Sequence, residues 1–125
     1  MTAYRRALYL SDSCWQDLQA LLHDKRTSSI ADQLYRAVGS ISANLVEGYS
    51  RVRGKDRALF YQYSLGSTRE ARDWYFKARH VLGEEIFNAR VQIITEILRL
   101  LVTMISHQRG YLVREDPALY ETNPD

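Results

Sequence analysis

Only two prolines occur in this 125-residue chain, Pro117 and Pro124, and both lie near its C-terminus. Every earlier residue keeps its backbone donor, so nothing before Asp116 forbids helix. The chain reads as a succession of amphipathic helices punctuated by glycine. Ser11-Asp12-Ser13 offers an N-cap, with Trp15, Leu18, Leu21 and Leu22 following at helical spacing. This predicts a first helix near 11–24. Thr27-Ser28-Ser29 offers the next cap, and Ile30, Leu34, Ala37, Val38, Ile41 and Leu45 form a stripe of 3.6-residue period over 28–48. Gly48 suits the left-handed position past a helix end. Gly54 restarts the chain before a third helix near 55–82. Gly83 separates it from a fourth near 84–109, whose first turn carries Glu84 and Glu85. Gly110 closes the series, so a bundle over 1–110 precedes an irregular acidic tail over 111–125, where Arg114 faces Glu115, Asp116, Glu121 and Asp125.

The fourth helix carries two apolar stripes. One is Ile86, Ile93, Ile97, Leu100 and Met104; the other is Phe87, Val91, Ile94, Leu98, Leu101 and Ile105. Together they exceed the width one core uses, which predicts that part of this helix meets another copy of the chain. The third helix aligns the small residues Ser64, Ser67 and Ala71, allowing a neighbour to come close. Elsewhere it alternates Arg57, Arg72 and Arg79 with Tyr61, Tyr75 and Phe76. Such a surface is either arginine stems packed on rings or a face for a protein or nucleic acid.

Net charge is only +2, yet it is unevenly placed: eight basic residues between Arg51 and Arg79 face Asp56, Glu70 and Asp73. Arg51, Arg53, Lys55 and Arg57 form the densest group. Just before it, Gln33, Arg36, Ser40, Asn44, Glu47 and Arg51 share one helix face. That face is either solvated, with Glu47 and Arg51 as an i,i+4 pair, or a bridge in which Asn44 and Glu47 tie the helix end to the next helix. The second reading predicts a shielded Glu47. Cys14 is the single cysteine, which excludes an internal disulfide, favours a reducing compartment and suits a small buried thiol. The apolar run after Arg5 and Arg6 ends at Leu10, too short for a signal peptide, and no run reaches the roughly 18 residues of a membrane span. The expectation is one cytoplasmic domain without a membrane partner.

Catalytic patterns are absent. His23, His80 and His107 are scattered, with no second ligand at helical metal spacing. No phosphate loop occurs: "GYSRVRG" lacks the Lys-Ser/Thr ending. Arg72 to His80 and Arg99 to His107 leave more residues between them than the motif of the HEPN ribonucleases allows. Glu47 and Glu70 would pair only if their helices aligned them. The expectation is no enzyme, no metal and no cofactor.

"SISANLVEGYSR", followed by "KD" and "FYQYSLGSTREA", resembles the signature of the four-helix-bundle proteins encoded in intervening sequences of large-subunit ribosomal RNA genes. Ser40, Ile41, Asn44, Glu47, Gly48 and Arg51 match it, as do Phe60, Gly66, Ser67 and Glu70; Ser42 stands where proline is usual, and Val46 where alanine is. The resemblance implies an all-α, antiparallel up-down four-helix bundle assembled as a ring, a homopentamer. The family is similar to the accessory variability determinants of diversity-generating retroelements, which implies as partners RNA or DNA and a protein such as a reverse transcriptase. On that reading Arg51, Arg53, Lys55 and Arg57 of several copies, joined by Arg69, Arg72 and Arg79, form a basic ring for phosphates. The alternative is a scaffold that binds a protein through the third helix and the acidic tail.

Overall fold

The computed structural model describes residues 1–113. Its elements are α1 (Thr2–Leu22), α2 (Ser28–Tyr49), α3 (Gly54–Leu82) and α4 (Glu84–Val113), with no strand among the described residues. The helical class read from the missing prolines therefore holds. α2 packs on α1 and α3, α4 packs on α3 and α1, and α1 meets α3 across the middle. Leu10, Leu21, Leu34, Ile41, Leu45, Ile94, Ile97 and Leu101 are fully buried, each contributing about 1.5–3 kcal/mol.

α1 starts nine residues earlier than Ser11. Ala3, Ala7, Leu10, Cys14 and Leu21 lie on one buried stripe, and nothing between Thr2 and Leu10 interrupts it, so burial carries the helix past the serine cap. Ser13 is inside the helix and buried, whereas Trp15 and Leu22, expected in the core, are 66% and 60% exposed. Cys14 is wholly buried, as expected. At the α1–α2 link Thr27 does not cap its own helix. Its Oγ1 donates to the Leu21 carbonyl at 2.7 Å and closes α1 instead.

Gly48 is not a left-handed cap. α2 runs on to Tyr49, and a Cβ on Gly48 would lie 2.7 Å from Cε1 of Tyr61. The glycine is there to let α3 come close. Gly83 alone among the described residues has positive φ, at 91°, where α3 gives way to α4. Gly110 does not end α4, which continues to Val113; one helical glycine costs only about 1 kcal/mol. Of the expected tail, residues 114–125 lie outside the described residues.

The two stripes of α4 prove to be flanks of one core seam. Ile94, Ile97, Leu101 and Ile105, drawn from both, are buried, and Phe87, Ile93, Leu98, Leu100 and Met104 pack beside them. Only Ile86 and Val102 on the described part of this helix remain among the exposed large apolar residues. A long helix flanked by both α3 and α1 fills a wider arc than one neighbour would require.

Candidate nucleic-acid interface

The small residues of α3 set the α2–α3 contact. Ser64 Oγ donates to the Ile41 carbonyl at 2.8 Å, and Ser67 Oγ bonds Ser40 Oγ at 2.9 Å. Asn44 Nδ2 donates to the Ser40 carbonyl and hydroxyl at 2.9 and 3.0 Å. Asn44 therefore reaches α3 through Ser40. Glu47 does not: it is exposed and pairs with Arg51, one turn on. The expected shielding of Glu47 is absent because its helix end faces water.

Beyond α2 the basic group splits in two. Arg51 lies 4.7 Å over the Phe60 ring, and Arg57 donates through Nε to the Arg51 carbonyl at 2.6 Å while covering Tyr49. These two stitch the corner between α2 and α3. Arg53 and Lys55 are exposed, with no side-chain partner among the described residues. They are the free charges of the corner.

Arg69 and Arg72 lie elsewhere. Arg72 is fifteen residues beyond Arg57 on one helix, about 22 Å along its axis. Both line a groove of about 570 Å³ between α3 and α4, floored by Leu65, Leu98 and Val102. Arg99, absent from the sequence-based site, lines it too. None of the three arginines has a hydrogen bond or ion pair among the described residues, and all are exposed. The groove continues past Asp73 to Phe76 and Phe87. Arg79 stacks on Phe76 with its guanidinium 3.8 Å from the ring centroid and donates to the Phe76 carbonyl at 2.7 Å. The alternating arginine–aromatic face is therefore only partly a surface, since Tyr61 and Tyr75 are buried in the core.

Gly66 has open space where a Cβ would stand. Glu70 is exposed and accepts from Trp74 Nε1 at 3.1 Å. Ser67 lies level with Ser40, and Tyr61 with Gly48, so Glu47 and Glu70 stand about 13 Å apart along α3. They form no carboxylate pair.

One cluster escaped the sequence reading. Asp17, 4% exposed, accepts from the Tyr75 hydroxyl at 2.7 Å and from Arg90 at 2.7 and 2.9 Å. The Cys14 thiol lies beside the Tyr75 hydroxyl, and burial pushes that thiol up to about 11. Burial raises the Tyr75 phenol further, and the hydrogen bonds to Asp17 hold the Arg90 guanidinium above its usual range. A buried, raised thiol is a poor nucleophile, so the cluster fastens α1, α3 and α4 together. The available signal was Asp17 in register with Leu10, Cys14 and Leu21.

Four packed helices with these placements define the class: an all-α four-helix protein in which Ser40, Asn44, Gly48 and Ser67 of the motif organise the α2–α3 seam. The chain belongs to the 23S rRNA-intervening sequence protein family, which it matches over residues 1–103. Among solved structures it is similar to a protein of unknown function from the S23 ribosomal protein family of Bacteroides thetaiotaomicron. The two are 19% identical, with a TM-score of 0.76 over 82% of this chain and 97% of that one. At that identity the likeness concerns the fold. No curated protein matches.

Proposed function

We propose that this protein is a non-enzymatic homo-oligomer, an antiparallel bundle assembled as a cytoplasmic pentameric ring, that binds nucleic acid without sequence preference. The observation that carries this is the α3–α4 groove, where Arg69, Arg72 and Arg99 have no partner among the described residues. Guanidinium forks without carboxylate partners are suited to phosphate oxygens. Arg53 and Lys55 at the corner add to the field, while Arg51, Arg57 and Arg79 shape it from internal contacts. A net charge of +2 per chain is small, and symmetry multiplies the local clusters into one strong potential. The opposed order of the pairs Ser40–Ser67 and Gly48–Tyr61 supports the antiparallel arrangement. The family's name ties its members to ribosomal RNA genes, which makes RNA the first ligand to try.

An electrophoretic shift with RNA at about 50 mM salt, followed by a salt series, tests the reading. Binding at micromolar protein that weakens steeply with salt is expected. No shift at low salt would refute it. The groove's apolar floor of Leu65, Leu98 and Val102 favours a second reading, a scaffold that seats a protein such as a reverse transcriptase. Recovery of one protein partner after nuclease treatment, with no RNA shift, would select it.

A further inference from the structure

We infer that the outer face of α1 and α2, not α4, is where the next copy of this chain sits; the inference rests on the homo-oligomer reading above and names its contact surface. Leu8, Trp15 and Leu22 recur every seven residues on α1 and are 41%, 66% and 60% exposed. On α2, Tyr35, Val46 and Tyr49 are 40%, 52% and 63% exposed, again at spacings that keep one face. The rings of Trp15 and Tyr35 meet at 5.8 Å, which joins the two rows into one strip. Ser11, Leu18, Gly39 and Ser42 fall between these side chains; exposed Asp12 stands one turn from both Leu8 and Trp15, and the Asp32–Arg36 pair flanks Tyr35.

Six large apolar and aromatic residues, each 40–66% exposed, place several hundred Å² in one strip, comparable to the largest patch of a lone soluble chain at about 300–600 Å². A standard interface takes about 800 Å² from each partner, so the strip supplies most of one. α4 offers only Ile86 and Val102 in comparison. Aromatic enrichment, here Trp15, Tyr35 and Tyr49, is a mark of an interface centre, and Asp12, Asp32 and Arg36 suit its polar rim. Each row spans fourteen residues, about 21 Å, two-thirds of the 21-residue length of α1. In a closed ring each copy presents two different surfaces to its two neighbours, and this strip is assigned as one of them.

Trp15 is its own reporter. The chain has two tryptophans, and Trp74→Phe leaves only Trp15. In that background, raising the protein from nanomolar to micromolar concentration should shift Trp15 emission to shorter wavelength. Its acrylamide quenching should fall several-fold over the same range. Trp15→Glu and Val46→Glu lie on the surface, and should return the mass in light scattering toward the 14.6 kDa chain with the helical circular dichroism intact. If the wild type is itself a monomer throughout, the oligomer reading fails together with this one. If it is an oligomer that both variants keep, with Trp15 as quenchable as a free indole, only the assignment of the face fails. A blue shift caused by anionic lipid vesicles but not by concentration would also overturn it.

Discussion

Arg90 grips Asp17 with two hydrogen bonds, Nε to Oδ2 at 2.7 Å and Nη2 to Oδ1 at 2.9 Å, joining α4 to α1. The side chains are 14% and 3% exposed, so water does not screen the pair as it would on the surface. Removing one partner strands the other's charge. Arg90→Ala should cost about 3–5 kcal/mol in urea unfolding, whereas Asp17→Leu with Arg90→Met should recover most of that. A loss below about 1 kcal/mol for Arg90→Ala would show that the carboxylate finds water instead.

The neighbouring Cys14 and Tyr75 set an alkaline limit. Burial raises the Cys14 thiol from 9.0 to about 11 and raises the Tyr75 phenol in the same direction. Both groups are neutral when protonated, so the fold is favoured in full below the unfolded thiol's value. Stability then drains as pH rises from about 9 toward 11, by about 2–3 kcal/mol from the thiol. Urea midpoints at pH 7, 9 and 10.5 should show this fall, and Cys14→Ala should flatten it. An unchanged midpoint across that range in the wild type would contradict the burial argument.

The two motif glycines should answer alanine with opposite signs. At Gly48 the new Cβ meets Tyr61 Cε1 at 2.7 Å and Phe60 Cβ at 3.1 Å, and Tyr61 is only 3% exposed. The ring has no room to swing, so Gly48→Ala should destabilise by about 1–3 kcal/mol. At Gly66 the Cβ meets nothing, and Gly66→Ala in mid-helix should stabilise by about 0.5–1 kcal/mol. Thermal unfolding of both variants checks the pair; equal signs would undo the close-approach account of Gly48.

This contrast marks what the sequence could and could not say. The close approach to α3 was legible because Ser64, Ser67 and Ala71 are small at helical spacing, though Gly48 read as a helix cap rather than as part of the seam. The core stripe of α2 was legible because Leu34, Val38, Ile41 and Leu45 leave one solution. α1 was not. Its larger apolar residues, Trp15, Leu18 and Leu22, outline one face, while Ala3, Ala7 and Cys14 outline another, and close packing selects the smaller set. Asp17 and Tyr75 were invisible for a related reason. A carboxylate on a core stripe is interpretable only once its partners, 58 and 73 residues away, are in place. In the candidate site, Arg69 and Arg72 were legible, but Arg99 comes from another helix and joins them only through packing.

Glu47 should matter less to stability than its place in the motif implies. It is exposed, with 49% of its side-chain surface in water, and its partner Arg51 is also held by Phe60 and the α2–α3 corner. An exposed i,i+4 pair is worth about 0.3–0.5 kcal/mol. Glu47→Ala should therefore move stability by no more than about 0.5 kcal/mol in chemical unfolding. A loss above about 1 kcal/mol would mean that Glu47 holds something in the assembly beyond its own helix end.

The α3–α4 groove makes the sharpest demand on the nucleic-acid reading. If Arg69, Arg72 and Arg99 each meet a phosphate, neutralising one removes a released counterion from every copy that touches the strand. For single-stranded RNA, the slope of log K against log salt should shrink by about 0.7 for each phosphate left without its arginine. Arg69→Gln with Arg72→Gln should lower both affinity and slope, alike for unrelated sequences, because phosphate contacts carry no base information. Arg36, paired with Asp32 at 3.4 Å on α2, lies outside the groove, and Arg36→Gln should leave the slope unchanged. The groove would be excluded as the phosphate site if Arg36→Gln and the double variant lowered affinity equally.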